Sequence, residues 1–201
     1  MQNELDALAS TGGRVVALGP GAGAVRSVIV DNTKGARDLG RALGERGYRN
    51  AIVLAAGEGV LTSDDRTAGF AEGFAAAGGS VSRIYRGGFT RESGLQLMSQ
   101  AISDGVEPGT LVFAISDVVA IGAMSAVREA GRVVGHDIAL CGFDDIPAGR
   151  DVTPGLTTVN VPLDDVGYLA LRAAVDEEWD ADAGPLPLAV VLRDSTPPVS
   201  A

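Results

Sequence analysis

Two adjacent carboxylates, Asp144 and Asp145, follow a short apolar run, 139–143, that ends in glycine and an aromatic residue. The run has the composition of a buried parallel strand, and ligands bind in open α/β sheets just beyond the carboxyl ends of such strands. A carboxylate in that position can accept hydrogen bonds from ligand hydroxyls, so Asp144 is a candidate binding residue. An acidic turn after a strand is the alternative interpretation, because Asp is a common turn former.

Three more candidates lie in segments that follow other apolar runs. Arg66 offers a planar cation that can clamp a carboxylate, a phosphate or vicinal hydroxyls through two parallel hydrogen bonds. Phe89 lies beside a glycine in a loop, and a flat ring next to polar groups suits a sugar or a heterocycle. Ser116 adds a hydroxyl. The alternatives are a surface ion pair of Arg66 with Asp64 or Asp65, and a packing role for Phe89 in its loop.

The alternation of apolar and polar segments predicts the elements that bring these residues together. Four consecutive βα units extend from about 50 to 145, and right-handed crossovers put the carboxyl ends of all their strands at one sheet edge. The segments 61–66, 87–90, 116–117 and 143–145 should therefore converge. Asp117 is expected mainly to cap the helix that follows it. The predicted strands are 14–18, 25–31, 51–56, 82–86, 110–115, 139–143, 155–161 and 186–193, and the predicted helices include 65–77, 118–130 and 163–178.

The composition is that of an ordinary globular protein, with 46% hydrophobic and 21% charged residues among 201. No apolar run is long enough to span a bilayer, and the first residues lack the pattern of a signal peptide. These features predict a cytoplasmic protein. Its net charge is −10, and its 16 basic residues are scattered along the chain. We therefore do not expect this chain of 201 residues to bind DNA by itself.

The sequence favours a binding protein over an enzyme. It has no nucleophile elbow and no phosphate-cradling glycine loop. Cys141 lies in an apolar run as a small hydrophobe, and His136 has no second histidine or cysteine with which to form a zinc site. The pair Asp144/Asp145 could do acid/base work, but adjacent turn residues usually point apart. The prediction is that there is no catalytic residue, no metal and no cofactor.

Taken together, these segments resemble the effector-binding core of the lactose repressor/galactose repressor (LacI/GalR) family of bacterial transcription regulators. The matching segments occur in the family's order and at its spacing over nearly the whole chain. They are Val30-Asp31-Asn32 with Gly35, Arg66-x-x-Gly69-Phe70, Gly88-Phe89-Thr90 with Glu92-Ser93-Gly94, Ser116-Asp117-x-x-Ala120-x-Gly122-Ala123, Gly131, Gly142-Phe143-Asp144-Asp145, Pro154-x-Leu156-Thr157-Thr158-Val159, Pro162, Gly167, and Leu192-Arg193-Asp194-Ser195-Thr196.

The resemblance implies an α/β, periplasmic-binding-protein-like fold of two lobes, each with a parallel sheet covered by helices. Residues 33–155 and 181–201 would form a complete C-terminal lobe with its tail. Residues 1–32 and 156–180 would form part of the N-terminal lobe, because the family's first βα units are not visible ahead of Met1. An N-terminally truncated chain is therefore expected.

The implied function is effector sensing, with a sugar-like or nucleoside-like small molecule bound between the lobes. The implied contacts are Arg66, Phe89, Ser116 and Asp144, with Thr62 as a loop contact. Ser116 departs from the Asn that many members carry, which leaves sugar specificity open. DNA would be bound only through a helix-turn-helix that is not visible in this sequence, and the full-length parent would be a homodimer. The alternative is a sugar-binding solute receptor of a transport system.

Overall fold

A computed structural model describes residues 8, 10, 14–19, 25–176 and 184–199 of the chain. Strands and helices alternate through most of it, as the sequence predicts. The strands are β1 (Val16–Leu18), β2 (Arg26–Val28), β3 (Asn50–Ala56), β4 (Ser80–Gly87), β5 (Leu111–Ala114), β6 (Ala139–Cys141), β7 (Thr158–Asn160) and β8 (Ala189–Val191). The helices are α1 (Asn32–Glu45), α2 (Leu61–Ala76), α3 (Arg91–Ser103), α4 (Asp117–Glu129), α5 (Ala148–Asp151) and α6 (Leu163–Val175).

The central sheet has four parallel strands in the order β4-β3-β5-β6. Both β3 and β5 are apolar, and β5 is buried along its whole length, which is typical of strands covered on both faces. The four carboxyl ends lie at one edge, as predicted from the βα alternation.

The core of this sheet is built around stacked aromatic rings. The ring centroids of Phe70 and Phe113 are 4.4 Å apart, and those of Phe70 and Phe74 are 5.4 Å apart. On α1, Leu39 and Leu43 are fully buried, in agreement with the helical spacing of apolar residues in the sequence. This core fixes α2 against the sheet and so fixes the helix that carries Arg66.

Six of the eight strands in the described part of the chain are shorter than the sequence predicts, β7 and β8 among them. β7 and β8 form an antiparallel pair of three residues each, within the predicted ranges 155–161 and 186–193. The backbone pairing stops at Thr157, because the amide of Arg193 donates to the side-chain hydroxyl of Thr157, at 2.8 Å, instead of to a backbone carbonyl. The same hydroxyl lies 2.7 Å from the hydroxyl of Thr196. The sequence does not reveal this antiparallel pairing, since apolar alternation carries no strand direction.

The chain divides into two compact units, Met1–Asp31 with Val161–Pro187 and Asn32–Asn160 with Leu188–Ala201. The larger unit includes β7, because Thr157 and Asn160 form parallel bridges to Cys141 and Asp144. The predicted boundary at 155/156 falls a few residues earlier. The assignment of whole lobes to 1–32 with 156–180 and to 33–155 with 181–201 stays a prediction.

The smaller unit contains the parallel pair β1–β2 and helix α6. The guanidinium of Arg14 donates to the carbonyl oxygens of Ala174 and Val175 at 3.2 and 2.9 Å. These two carbonyls lie in the last turn of the helix, where no intrahelical partner is available to them. The helix ends at Val175, and Asp176 has extended backbone, so the predicted extension to 178 is wrong at that residue. Its last two positions, 177 and 178, lie outside the described residues. No helix in the described part of the chain is both long and apolar enough to cross a membrane.

Candidate functional site

The larger unit brings three of the five candidate residues together around the guanidinium of Arg66. Its Nη2 lies 2.9 Å from Oδ1 of Asp144. Its Nη1 donates to the carbonyl oxygen of Ile115 at 2.7 Å, directly before Ser116. Arg66 follows β3, Ser116 follows β5 and Asp144 follows β6, so the predicted convergence at the carboxyl edge of the sheet is confirmed for these three residues.

Arg66 is almost completely buried, with 7% of its surface exposed. Its Nε donates to Oδ1 of Asn32 at 2.8 Å, and its guanidinium carbon lies 3.9 Å from the ring centroid of Phe143. The interpretation of Arg66 as a surface ion pair with Asp64 or Asp65 is wrong, because its charge faces Asp144 inside the unit. Such a held guanidinium presents its remaining N–H groups in a fixed direction.

Burial disfavours the charged forms of both members of this pair. It lowers the pKa of Arg66, while the nearby carboxylates of Asp144 and Asp117 oppose that effect. Burial also raises the pKa of Asp144, against the attraction of Arg66. A pair with this balance gains little by burial alone, so a ligand that adds hydrogen bonds to both groups would be favoured.

The backbone at Asp144 and Asp145 takes an uncommon conformation. Their φ angles are 113° and 54°, in the region that glycine usually occupies. Two hydrogen bonds hold them there: the amide of Asp144 donates to the carbonyl of Val159 at 2.9 Å, and the amide of Asp145 donates to the hydroxyl of Thr158 at 3.3 Å. The turn is thus supported by the segment of β7.

The two carboxylates of this turn have separate partners. Asp145 accepts from Arg193 at 2.5 Å, from Arg150 at 3.0 Å and from Asn160 at 3.1 Å. Although burial acts in the opposite direction, these hydrogen bonds lower the pKa of Asp145. Because Asp144 faces Arg66 instead, the two carboxylates do not form a shared acid/base pair.

Asp117 differs from its predicted role as a helix cap. The cap of α4 is Ser116, whose hydroxyl accepts from the amide of Val119 at 3.4 Å. The carboxylate of Asp117 is fully buried and accepts from the hydroxyl of Thr158 at 2.6 Å and from the amide of Ile146 at 2.9 Å. Burial is the main cause that raises the pKa of Asp117 to about 7, against these two hydrogen bonds.

Thr62 lies in the first turn of α2, so its prediction as a loop residue is wrong. The helix begins at Leu61, four residues before the predicted start, because the carbonyl of Val60 accepts from the amides of Ser63 and Asp64. The hydroxyl of Ser63 also accepts from the amide of Ala56 at 2.9 Å and ties the helix to β3. Thr62 is half-buried and precedes Arg66 by one turn, on the same helix face.

Phe89 lies in the loop between β4 and α3, with 39% of its surface exposed. No ring contact joins it to another aromatic or cationic side chain of the described residues. Thr90 caps α3 by accepting from the amide of Ser93 at 3.0 Å. The ring is therefore held next to a fixed helix start and remains accessible.

Three residues of this cluster were not among the candidates: Asn32, Phe143 and the buried Asp117. All three belong to matched family segments, and that was the available signal. The carbonyl of Ile115 carries no side-chain signal at all. Among the described residues no group of three or more His, Cys, Asp or Glu side chains is placed to hold a metal ion.

Comparison with protein families gives one match over most of the chain. The periplasmic binding protein-like domain family matches residues 41–196. A curated relative, the HTH-type transcriptional repressor PurR of Escherichia coli O1:K1, is 36% identical over 151 residues, which is 74% of this chain and 44% of the relative. The chain thus spans less than half the length of the curated relatives it matches.

Solved structures share the fold. A sugar-binding transcriptional regulator of the LacI family from Enterococcus faecalis has a TM-score of 0.86 and 26% identity, covering 98% of this chain and 75% of that one. A dimeric Lac repressor with a C-terminal deletion has a TM-score of 0.74 and 26% identity, covering 86% of this chain and 65% of that one. The named relatives are transcriptional regulators and are not described as enzymes.

Proposed function

Since this chain belongs to the periplasmic binding protein-like family, as an effector-binding domain of the LacI/GalR type, we propose that it senses a sugar-like effector through Arg66 and Asp144. The observation that carries this proposal is the ion pair between these two residues, 2.9 Å apart at the carboxyl edge of the sheet. The side chain of Asp144 is 22% exposed while that of Arg66 is 8% exposed. The carboxylate is therefore the accessible member of the pair.

The two groups match a pair of adjacent hydroxyls. Asp144 uses Oδ1 for Arg66, and its Oδ2 accepts from no described residue. A ligand hydroxyl would donate to that oxygen, and a neighbouring hydroxyl oxygen would accept from Arg66. The guanidinium of Arg66 stacks on the ring of Phe143 and donates to Asn32, and these two contacts keep it oriented before the ligand binds.

The other candidates complete the proposed site. Phe89 would cover an apolar face of the ligand, and the hydroxyls of Thr62 and Ser116 would add hydrogen bonds. The hydroxyl of Ser116 already accepts from the amide of Val119, so its proton is the group left to offer. The sugar class is supported by the E. faecalis structure, which is described as sugar-binding.

We further propose that the whole protein is a cytoplasmic homodimer that regulates transcription by binding DNA. The relatives are HTH-type transcriptional repressors, and one structural neighbour is a dimeric Lac repressor. Effector binding would shift an equilibrium between two conformations by its difference in affinity for them. The transport-receptor alternative is not favoured, because the relatives named above are regulators.

The test is a thermal-shift screen of the purified chain against pentoses, hexoses, sugar phosphates and nucleosides, followed by calorimetry on any hit. A ligand at about 100 times its Kd should add about 2.7 kcal/mol of stability and raise Tm by several degrees. Asp144→Asn keeps the shape of the side chain and removes its charge. It should weaken binding about tenfold or more, since charge-assisted hydrogen bonds are the strong ones.

The matched control is Asp151→Asn, which removes an exposed carboxylate from α5 in the same unit. It should bind the hit as the unmodified chain does. If Asp144→Asn folds normally and binds the hit with unchanged affinity, the ligand does not use this pair and the proposed site is wrong.

A further inference from the structure

A cavity lies at the opposite edge of the central sheet, away from Arg66 and Asp144. It has a volume of about 220 Å³ and is bordered by the amino end of β3, by β4 and by the loop that joins α3 to β5. Its lining includes Thr110, the residue immediately before β5. Nothing in the effector proposal uses this cavity.

Thr110 is the feature that indicates a ligand. Only 3% of its surface is exposed, and its side chain lines the cavity. Its backbone is satisfied: the amide donates to the carbonyl of Glu107 at 3.2 Å, and the carbonyl accepts from Ala139 at 3.2 Å. Its hydroxyl makes no hydrogen bond to any residue in the described ranges. Among the described residues this hydroxyl is not one of the fully enclosed side-chain atoms that lack a partner, so it is accessible from the cavity, and a group that enters the cavity can hydrogen-bond to it.

The charges around the cavity favour a cation. Its lining contains the carboxylates of Asp104 and Glu107 and one guanidinium, Arg83. Arg83 pairs with Asp104 at 2.8 Å, so the exposed carboxylate of Glu107 is left over. The carboxyl end of α3, at Ser103, adds partial negative charge from the helix dipole. The net charge of −10 on the chain acts in the same direction.

The walls of the cavity suit a short aliphatic stem. Ile52, Val106 and the ring of Tyr85 line it, and Tyr85 is itself 8% exposed. The volume is below the roughly 300 Å³ at which pockets for drug-sized ligands begin, so it matches a molecule the size of one long side chain. The hydroxyl of Tyr85 donates to Asp104 at 3.1 Å and so orients the carboxylate of this lining residue.

We propose that this cavity binds a small organic cation, a guanidinium or ammonium group on a short aliphatic stem. The cationic group lies at Glu107 and Asp104, and the far end of the ligand bonds to the hydroxyl of Thr110. This is a second site of the larger unit, separate from the effector site, and it does not depend on the proposed effector.

The experiment is an NMR titration of the ¹⁵N-labelled chain with agmatine, with 1,4-butanediol as neutral probe and glutarate as anionic probe. Agmatine should shift the amide signals of residues 104–107, 109 and 110 in a saturable manner, and the other two probes should not. Glu107→Gln should weaken agmatine binding about two- to fivefold, the range of exposed ion pairs. Thr110→Val should weaken it about tenfold, since it keeps the shape of the side chain and removes the hydroxyl.

Glu129→Gln is the matched control, because it removes an exposed carboxylate at the end of α4, outside the cavity lining. It should leave agmatine binding unchanged. The proposal is overturned if agmatine gives no saturable shift at millimolar concentration, or if butanediol binds equally well. It also fails if Glu129→Gln weakens binding as much as Glu107→Gln, because the charge effect would then be a general one.

Discussion

The hydroxyl of Thr158 donates to Oδ1 of Asp117 at 2.6 Å and so joins the first turn of α4 to β7. The other oxygen of Asp117 accepts from the amide of Ile146 at 2.9 Å, which holds the turn that carries Asp144. A Cβ on Gly142 would meet the carboxylate of Asp117 and lie 3.0 Å from its Cα. Position 142 therefore has to be glycine, because the buried carboxylate of Asp117 occupies the space that a side chain would need.

The pKa of Asp117 predicts a distinctive dependence of stability on pH. Burial raises this pKa from 3.8 to about 7 in the folded chain. Between about pH 4 and pH 7 the folded state then binds more protons at Asp117 than the unfolded state does. Its contribution to stability falls as pH rises through that window, by at most about 1.4 kcal/mol per pH unit, and becomes constant above it.

Asp117→Asn should remove this contribution, because an amide does not titrate. Urea unfolding at several pH values from 5 to 8 measures it as the difference in slope between the two chains. The variant should show a less negative slope of unfolding free energy against pH, whatever its absolute stability. Equal slopes would mean that Asp117 is ionised throughout this range in the folded state.

Two arginines share one carboxylate, and their burial predicts unequal contributions to stability. The side chain of Arg193 is 18% exposed and also donates to the carbonyl of Leu156 at 2.6 Å, while that of Arg150 is 62% exposed. Both contact Asp145, whose side chain is 3% exposed. Arg193→Ala should lower the free energy of unfolding by about 2–3 kcal/mol, since it leaves a buried charge with a weaker partner.

Arg150→Ala serves as the control for that measurement, because it removes the same side chain from the same carboxylate at an exposed position. It should cost less than about 1 kcal/mol in chemical denaturation. Similar losses for the two variants would show that burial of the partner does not decide the energy of this cluster.

The central sheet could be predicted from sequence because its strands are continuous apolar runs between helices with apolar periodicity. The convergence of Arg66, Ser116 and Asp144 follows from the same topology, since a parallel sheet collects its loops at one edge. The direction of β8 could not be predicted in this way, because short apolar strands have the same pattern in either direction. The start of α2 was missed because Val60 has no capping side chain.

The assignment of the cap to Asp117 instead of Ser116 was wrong for a related reason. Both are good capping residues, and a sequence does not show which of two neighbours turns toward the helix. The choice depends on Thr158, which is 41 residues away from Asp117 and whose hydroxyl donates to the Asp117 carboxylate. Predicting such long-range contacts requires the fold as well as the local pattern.

The close packing of α3 against α4 at Gly122 and the open space beside Gly167 in α6 predict opposite effects of alanine at these two helical glycines. A Cβ on Gly122 would meet the carbonyl oxygen of Arg91 and lie 2.8 Å from its carbonyl carbon, and backbone cannot move aside as a flexible side chain can. Gly122→Ala should therefore lower the free energy of unfolding by about 1–3 kcal/mol.

Gly167 in α6 has no described atom within 4 Å of the position of its Cβ. Gly167→Ala should raise stability by about 0.5–1 kcal/mol, because alanine loses less backbone entropy in a helix. Thermal and urea unfolding of both variants measure the contrast, and a stabilising effect of Gly122→Ala would show that the two helices can separate without loss.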